Sequence, residues 1–305
     1  MSDPPKTGLN HGYTLRKTLG QRATGMALLD YLSQSFRHSD EATWRGRIAR
    51  AEVLVDEARV EPDTPLRQGQ VLAWIKPPWR EPDAPLHFAV LYEDKHLLAV
   101  DKPSGLPTLP GSGFQEHTLL SLVRAHAPGA SPMHRLGRGT SGVVLFCKSA
   151  EAARGVQAQW RQPGVVAKRY LALVSGHPPQ DHFTVDSPIG LVPDTIIDAL
   201  YCATPDGKPS LSRFTVLARH DTTSLAAVDI ETGRPHQIRI HAAAAGYPLL
   251  GDPLYGPGGG RTPGSEARPG DLGYRLHAWQ LGLEHPLSGE RRVFEAAPPE
   301  ALRPG

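Results

Sequence analysis

The sequence predicts an α+β fold: a mixed, mostly antiparallel sheet with flanking helices, preceded by a smaller α/β module. After residue 87, short segments alternate apolar and polar residues at period two, as half-buried strands do. Helical spacing appears between them without regular βαβ alternation. A Pro-rich, charged stretch, KPPWREPDAPLH, separates this region from an earlier helix–helix–hairpin pattern. With 305 residues, 39% hydrophobic and 21% charged, the chain can bury a sizeable core in two domains.

Residues 1–21, with their Pro, Gly and Lys, predict a flexible tail and contain no apolar segment of the kind a secretory signal needs. Over 22–75, MALLDYLSQSF sets Leu28, Leu29, Leu32 and Phe36 at helical spacing. Ser39 or Asp40 can cap a second helix that carries Trp44 and Ile48 inward. A hairpin follows through Val53, Val55 and LRQGQVLAWI. Residues 76–86 form the linker and 87–300 the larger domain. There, strands are expected at FAVLYEDKHLLAVDKPSG, VVLFCK, RYLALVSG, SRFTVLAR, TSLAAVDIE and QIRIHA, with helices at HTLLSLVRAH and AARGVQAQW. The Gly/Pro-rich segment 251–273 predicts a disordered surface insertion; its GGGR is no phosphate loop, because no Lys-Ser/Thr follows.

Several function classes are excluded. No run of eighteen apolar residues exists, so a membrane span is not expected. Cys147 and Cys202 are too few for a disulfide framework or zinc cluster and suit a reducing cytoplasm. No metal-binding spacing occurs among the fourteen histidines, and His236 and His241 would face opposite sides of a strand. The net charge of +2 does not by itself announce a nucleic-acid protein. Local clusters do more: Arg45, Arg47 and Arg50; Arg135 and Arg138; Lys168 and Arg169.

Three separated segments carry chemistry. His134-Arg135-Leu136-Gly137-Arg138-Gly139-Thr140-Ser141-Gly142 is a donor-rich turn that can approach a phosphate or sugar closely. In Lys168-Arg169-Tyr170, the tyrosine is either a half-buried strand residue with a satisfied hydroxyl or a flat face for an unstacked base. In Glu231-Thr232-Gly233-Arg234-Pro235-His236-Gln237-Ile238-Arg239, a strand would turn Gln237, Arg239 and His241 to one face, where Arg239 could pair with a carboxylate or an RNA group.

Together these segments resemble the RluA family of RNA pseudouridine synthases. The family pattern H-R-L-D-R-x-T-S-G, K-x-Y-x-A-x-V-x-G, T-G-R-x-H-Q-I-R-x-H and G-D-x-x-Y-G is matched in order at 134–142, 168–176, 232–241 and 251–256. YEDKHLLAVDKPSGLPTLPG and LHAWQLGLEHP match beside them. The layout of 22–75 is similar to the S-four RNA-binding module of ribosomal and RNA-modifying proteins. The resemblance implies the pseudouridine synthase fold and isomerisation of a uridine in structured RNA, ribosomal or transfer, with no metal or cofactor. A monomer is the default expectation. Tyr170 would stack on the base, Arg239 would hold the family's aspartate ionised, and Arg135 would fill the gap left by the extruded nucleotide. His134, Arg138, Thr140, Arg234, His236, Gln237, Arg45 and Arg47 would contribute RNA contacts.

One position departs from the pattern. Where the family keeps its catalytic aspartate, this chain has Gly137, so Arg239 is expected to lack its partner. Three explanations are open. Asp101, Glu231 or Asp252 could substitute; the protein could bind RNA without catalysis; or the glycine could be an introduced change. Gly139, where charged residues are common in the family, marks the whole turn as adapted to glycine.

Overall fold

A computed structural model describes residues 8–303, which divide between residues 81 and 82 into two compact units. The first unit holds β1 (Tyr13–Thr18), α1 (Leu28–Ser35), α2 (Glu41–Ala49), β2 (Val53–Val55), β3 (Ala58–Arg59) and β4 (Val71–Lys76). Its antiparallel sheet has the order β1-β4-β2-β3. Asp40 caps α2, accepting from the Thr43 amide at 2.8 Å. Trp44, wholly buried, meets Trp74 edge-on at 4.8 Å between centroids, and Phe36 closes the cluster.

The flexible tail expected over 1–21 contains a paired strand. Residues 1–7 lie outside the described residues, but Tyr13–Thr18 pairs with Val71–Lys76 along its full length. Leu15 packs on the core, so the strand is held by apolar contact as well as by its ladder. Part of the expected linker also belongs here: Asn10 donates to the buried Glu81 at 2.7 Å, and Trp79 packs edge-on against Tyr13.

The second unit is built on a ten-stranded sheet. Its strands are β5 (Ala89–Glu93), β6 (Leu97–Lys102), β7 (Ser131–Pro132), β8 (Ser141–Cys147), β9 (Ala167–Ser175), β10 (His182–Val185), β13 (Ser212–Arg219), β14 (Thr223–Ile230), β15 (Leu276–Glu284) and β16 (Arg291–Glu295). The order is β10-β13-β14-β9-β15-β8-β6-β5, with β16 beside β15 and β7 beside β8. Only the β15–β8 pairing is parallel. A separate hairpin, β11 (Ile189–Asp194) with β12 (Asp198–Ala203), stands off the sheet. Helices α3 (Leu119–His126), α4 (Ala150–Trp160) and α5 (Gln237–Ala244) flank it; Thr118 and Ser149 cap the first two. At the parallel crossing glycine is obligatory: a Cβ on Gly142 would lie 2.2 Å from the Ala278 carbonyl oxygen, with φ at +109°.

Two expectations for this unit are corrected. QIRIHA is not a strand but the first turns of α5. Its polar–apolar alternation arises because seven of the eight helix residues are buried, so polar side chains occur inside with dedicated partners. His241, for example, lies between the Ser212 hydroxyl and the Ser187 carbonyl, each at 2.9 Å. The four alanines that follow favour helix, and Gly246, at φ +87°, ends it. The segment 251–273 is also no disordered insertion. Leu254 and Tyr255 are buried, and Arg261 forms a two-pronged ion pair with Asp194 at 2.7 and 2.9 Å.

Candidate active site

One cleft gathers the three chemistry-bearing segments, and its lining includes Gly137, Tyr170, Arg239, Arg135, Arg234 and Tyr274. Backbone bonds hold its first wall. The turn 134–140 is clamped by the preceding DKPSGLPT segment: Thr108 bonds the Leu136 carbonyl at 2.9 Å, Ser104 the Gly139 carbonyl at 2.8 Å, and the Gly105 amide the Arg138 carbonyl at 2.8 Å. Lys102, fully buried, donates to the carbonyls of Pro103, Leu106 and Arg138. Burial holds its ammonium down to about 7 despite the neighbouring Asp101.

The second wall is the start of α5. Gln237 is saturated: its Oε1 accepts from Thr232 and the Arg234 amide, and its Nε2 donates to the Leu211 carbonyl and the Ser212 hydroxyl. His236, at φ +58°, bonds through Nδ1 to the Tyr255 hydroxyl at 2.7 Å. That hydroxyl donates to the Tyr201 carbonyl at 2.9 Å, so it accepts from His236. Burial, followed by the charge of Arg239, pushes His236 down to about 4, which leaves it neutral with Nε2 as an acceptor.

Arg239 does not lack a partner. Its Nε and Nη2 grip Asp252 at 2.7 and 2.8 Å, with 2% and 1% of the two side chains exposed. Asp252 also accepts from the amides of Leu254 and Tyr255. The guanidinium lies between two rings, 4.1 Å from the Tyr274 centroid and 4.9 Å from that of Tyr255. Tyr170, on β9, faces the cleft, and its hydroxyl meets no hydrogen-bond partner among the described residues. Burial pushes that phenol up to about 12, so it remains protonated.

None of the three candidate carboxylates reaches the cleft. Asp252 is fully engaged by Arg239, Glu231 pairs with Arg213 at the surface, and Asp101 lies on β6 outside the lining. Among the described residues, no Asp or Glu lines the cleft. The space beside Gly137 is filled instead by Tyr274, which is 3% exposed and 3.2 Å from the Thr140 hydroxyl. Sequence reasoning did not single out Tyr274. Its signals were two unexplained glycines and a position two residues ahead of the recognised LHAWQLGLEHP.

Of the expected RNA contacts, Arg135, Thr140, Arg234, His236 and Gln237 line the cleft, whereas His134 and Arg138 do not. His134 Nε2 accepts from the Leu145 amide and its ring stacks on Trp160; burial pushes it down to about 4. Arg138 bonds the Gly105 carbonyl and covers Phe114. Arg45 and Arg47 belong to the first unit. Arg45 pairs with Glu41, and Arg47 lies over Trp44 and Trp74 at 4.6 and 4.8 Å.

Comparison with known proteins agrees with this geometry. The family described as RNA pseudouridylate synthase matches residues 96–244. An uncharacterised RNA pseudouridine synthase of Synechocystis is 42% identical over 281 residues, spanning 91% of this chain and 96% of the relative. RNA pseudouridine synthase 5 of Arabidopsis thaliana is 34% identical, spanning 98% of this chain and 97% of its own. Ribosomal large subunit pseudouridine synthase D of Nitrosomonas europaea is 32% identical, spanning 95% and 86%. Among solved structures, human RNA pseudouridylate synthase domain containing 1 aligns with a TM-score of 0.58 at 27% identity, covering 73% of this chain and 89% of that one. Motifs, fold and identity along nearly the whole length converge, and the chain belongs to the RNA pseudouridine synthase family.

Proposed function

We propose that this chain binds structured RNA, ribosomal or transfer, in the cytoplasm and isomerises a uridine in it to pseudouridine. The observation that carries the reading is the meeting of Tyr170, Arg239 and Arg135 in one cleft. The target uridine leaves its stack, because the reacting atoms are out of reach inside a helix. Its base lies on the Tyr170 ring, whose hydroxyl is free to bond it. Arg135, exposed at the rim, occupies the space the nucleotide vacates, and Arg234 adds positive charge beside the backbone. The first unit acts as an S-four-like RNA-binding module, with Arg45 and Arg47 on its second helix toward phosphate. Similarity to relatives named as pseudouridine synthases over nearly their full lengths supports the same substrate class.

A second reading is favoured by one specific observation, the absence of a carboxylate from the cleft lining. In it the protein binds the same RNA and leaves the uridine unchanged. A nucleotide-resolution pseudouridine map of total RNA, with and without the gene, separates the two. Loss of defined sites on deletion is expected. An unchanged map with RNA still crosslinked to the protein would favour the second reading, and no crosslinked RNA would end both.

A further inference from the structure

Resting on the isomerase reading above, we propose that the Tyr274 hydroxyl does the work of the absent aspartate by attacking the ribose of the bound uridine. Its place is the first argument. A Cβ built on Gly137 would lie 2.9 Å from Tyr274 Oη, so this oxygen stands where a side chain at 137 would begin. A Cβ on Gly139 would lie 2.9 Å from Tyr274 Cζ, so the second glycine clears room for the ring. The two glycines and the tyrosine are one exchange: a carboxylate on the turn is replaced by a phenol reaching it from the segment before β15.

The surroundings of that oxygen suit a nucleophile. The Arg239 guanidinium, 4.1 Å from the ring centroid, holds the ring in place by a cation–π contact and is itself held by Asp252. Thr140 Oγ1, 3.2 Å away, hydrogen-bonds the phenol oxygen and fixes its position at the cleft. The other tyrosines of the site are less suited. Tyr255 is committed to Tyr201 and His236, and no atom of Tyr170 comes within 4 Å of where a Cβ on Gly137 would sit. Tyrosine is a known alternative to carboxylates in attack at a sugar's anomeric carbon.

The electrons balance within the substrate. The phenol gives up its proton to solvent and its oxygen bonds to C1′ as the N1–C1′ bond breaks, and that electron pair stays on the uracil. The uracil turns, C5 bonds to C1′, and the C1′–O bond to tyrosine breaks with its pair returning to oxygen. C5 loses its proton to solvent, and N1 and the phenolate each take one up. No oxidant, reductant or metal is needed.

The test is tritium release from RNA carrying [5-³H]uridine, with RNA affinity measured in parallel, for wild type, Tyr274→Phe and a protein with 3,5-difluorotyrosine at 274. Loss of a nucleophile predicts a fall in rate on the order of 10⁴-fold for Tyr274→Phe, with affinity within about twofold, since the ring and its packing are kept and one hydroxyl is removed. The more acidic fluorinated phenol is expected to move the rising limb of the rate–pH profile to lower pH, which a packing role would not do. Wild-type rate in Tyr274→Phe, or an unmoved profile, overturns the role of Tyr274 while leaving the isomerase reading intact. RNA binding without tritium release by the wild type overturns the isomerase reading itself.

Discussion

Restoring the family's aspartate by Gly137→Asp is expected to harm the protein rather than improve it. The new Cβ would sit 2.9 Å from Tyr274 Oη, a separation that relaxed side chains do not adopt, and the carboxylate extends further toward the ring. Tyr274 is 3% exposed, stacked under Arg239 and bonded to Thr140, so it cannot swing aside without losing both contacts. Nor does the new charge gain an open partner, because Asp252 already neutralises Arg239. Overpacking of a well-filled site costs about 1–3 kcal/mol. For a domain of this size each kcal/mol lowers Tm by roughly 2–4 °C, so a drop of roughly 2–12 °C is expected by differential scanning calorimetry. Adding Tyr274→Leu opens the space, and the double variant is expected to recover about 1 kcal/mol or more relative to the sum of the single changes. A Gly137→Asp protein that melts with wild type would refute the idea that Tyr274 fills the aspartate's place.

Other consequences follow from the same geometry. Asp252→Asn leaves the buried Arg239 charge unpaired and is expected to cost about 3–5 kcal/mol in denaturant unfolding. A cost under about 1 kcal/mol would show the pair to be dispensable. Tyr170→Ala is expected to weaken binding of a target stem-loop by about 1–3 kcal/mol through lost stacking, and Tyr170→Phe by much less, as read by fluorescence titration. Equal losses would place the affinity in the hydroxyl. Lys102 is held down to about 7 when folded against 10.5 in the open chain, so the unfolded state binds more protons between those values. Stability should therefore rise with pH across that window, and Lys102→Met should flatten the rise. Arg135→Ala should weaken RNA binding and lower the log–log salt slope by about one; an unchanged slope would remove it from the phosphate contacts.

Much of the fold was legible because its strands are half-buried and alternate cleanly, as in Ser212–Arg219, or carry long apolar runs, as in Ser141–Cys147. Asp40 announced its helix through capping. The alternation of Gln237-Ile238-Arg239-Ile240 misled because it reports burial, not period: in a helix surrounded by protein, polar residues face inward when partners wait for them. Tyr13–Thr18 reads as tail in the sequence because its stabilising partner, Val71–Lys76, lies more than fifty residues away. The pairing of Asp194 with Arg261 spans a similar gap, and nothing local in a Gly/Pro-rich stretch signals it.

The site was legible in its residues and less so in its bonds. Spaced motifs brought Gly137, Tyr170 and Arg239 into one cavity, as the resemblance required. Pairwise partners were not visible. That Asp252 belongs to Arg239, and that His134 turns toward Trp160, depends on side-chain directions set by the fold around them. Tyr274 escaped notice because a substitution by glycine is read as a loss; the gain sits 137 residues further along the chain.

The most direct measurement is a structure of this chain bound to an RNA stem-loop holding its target uridine. The ribose C1′ should lie about 3–3.5 Å from Tyr274 Oη, the separation of a near-attack arrangement, with the base on the Tyr170 ring. A uridine seated in the cleft with its sugar turned away from Tyr274, or an RNA that leaves the cleft empty, would contradict the account.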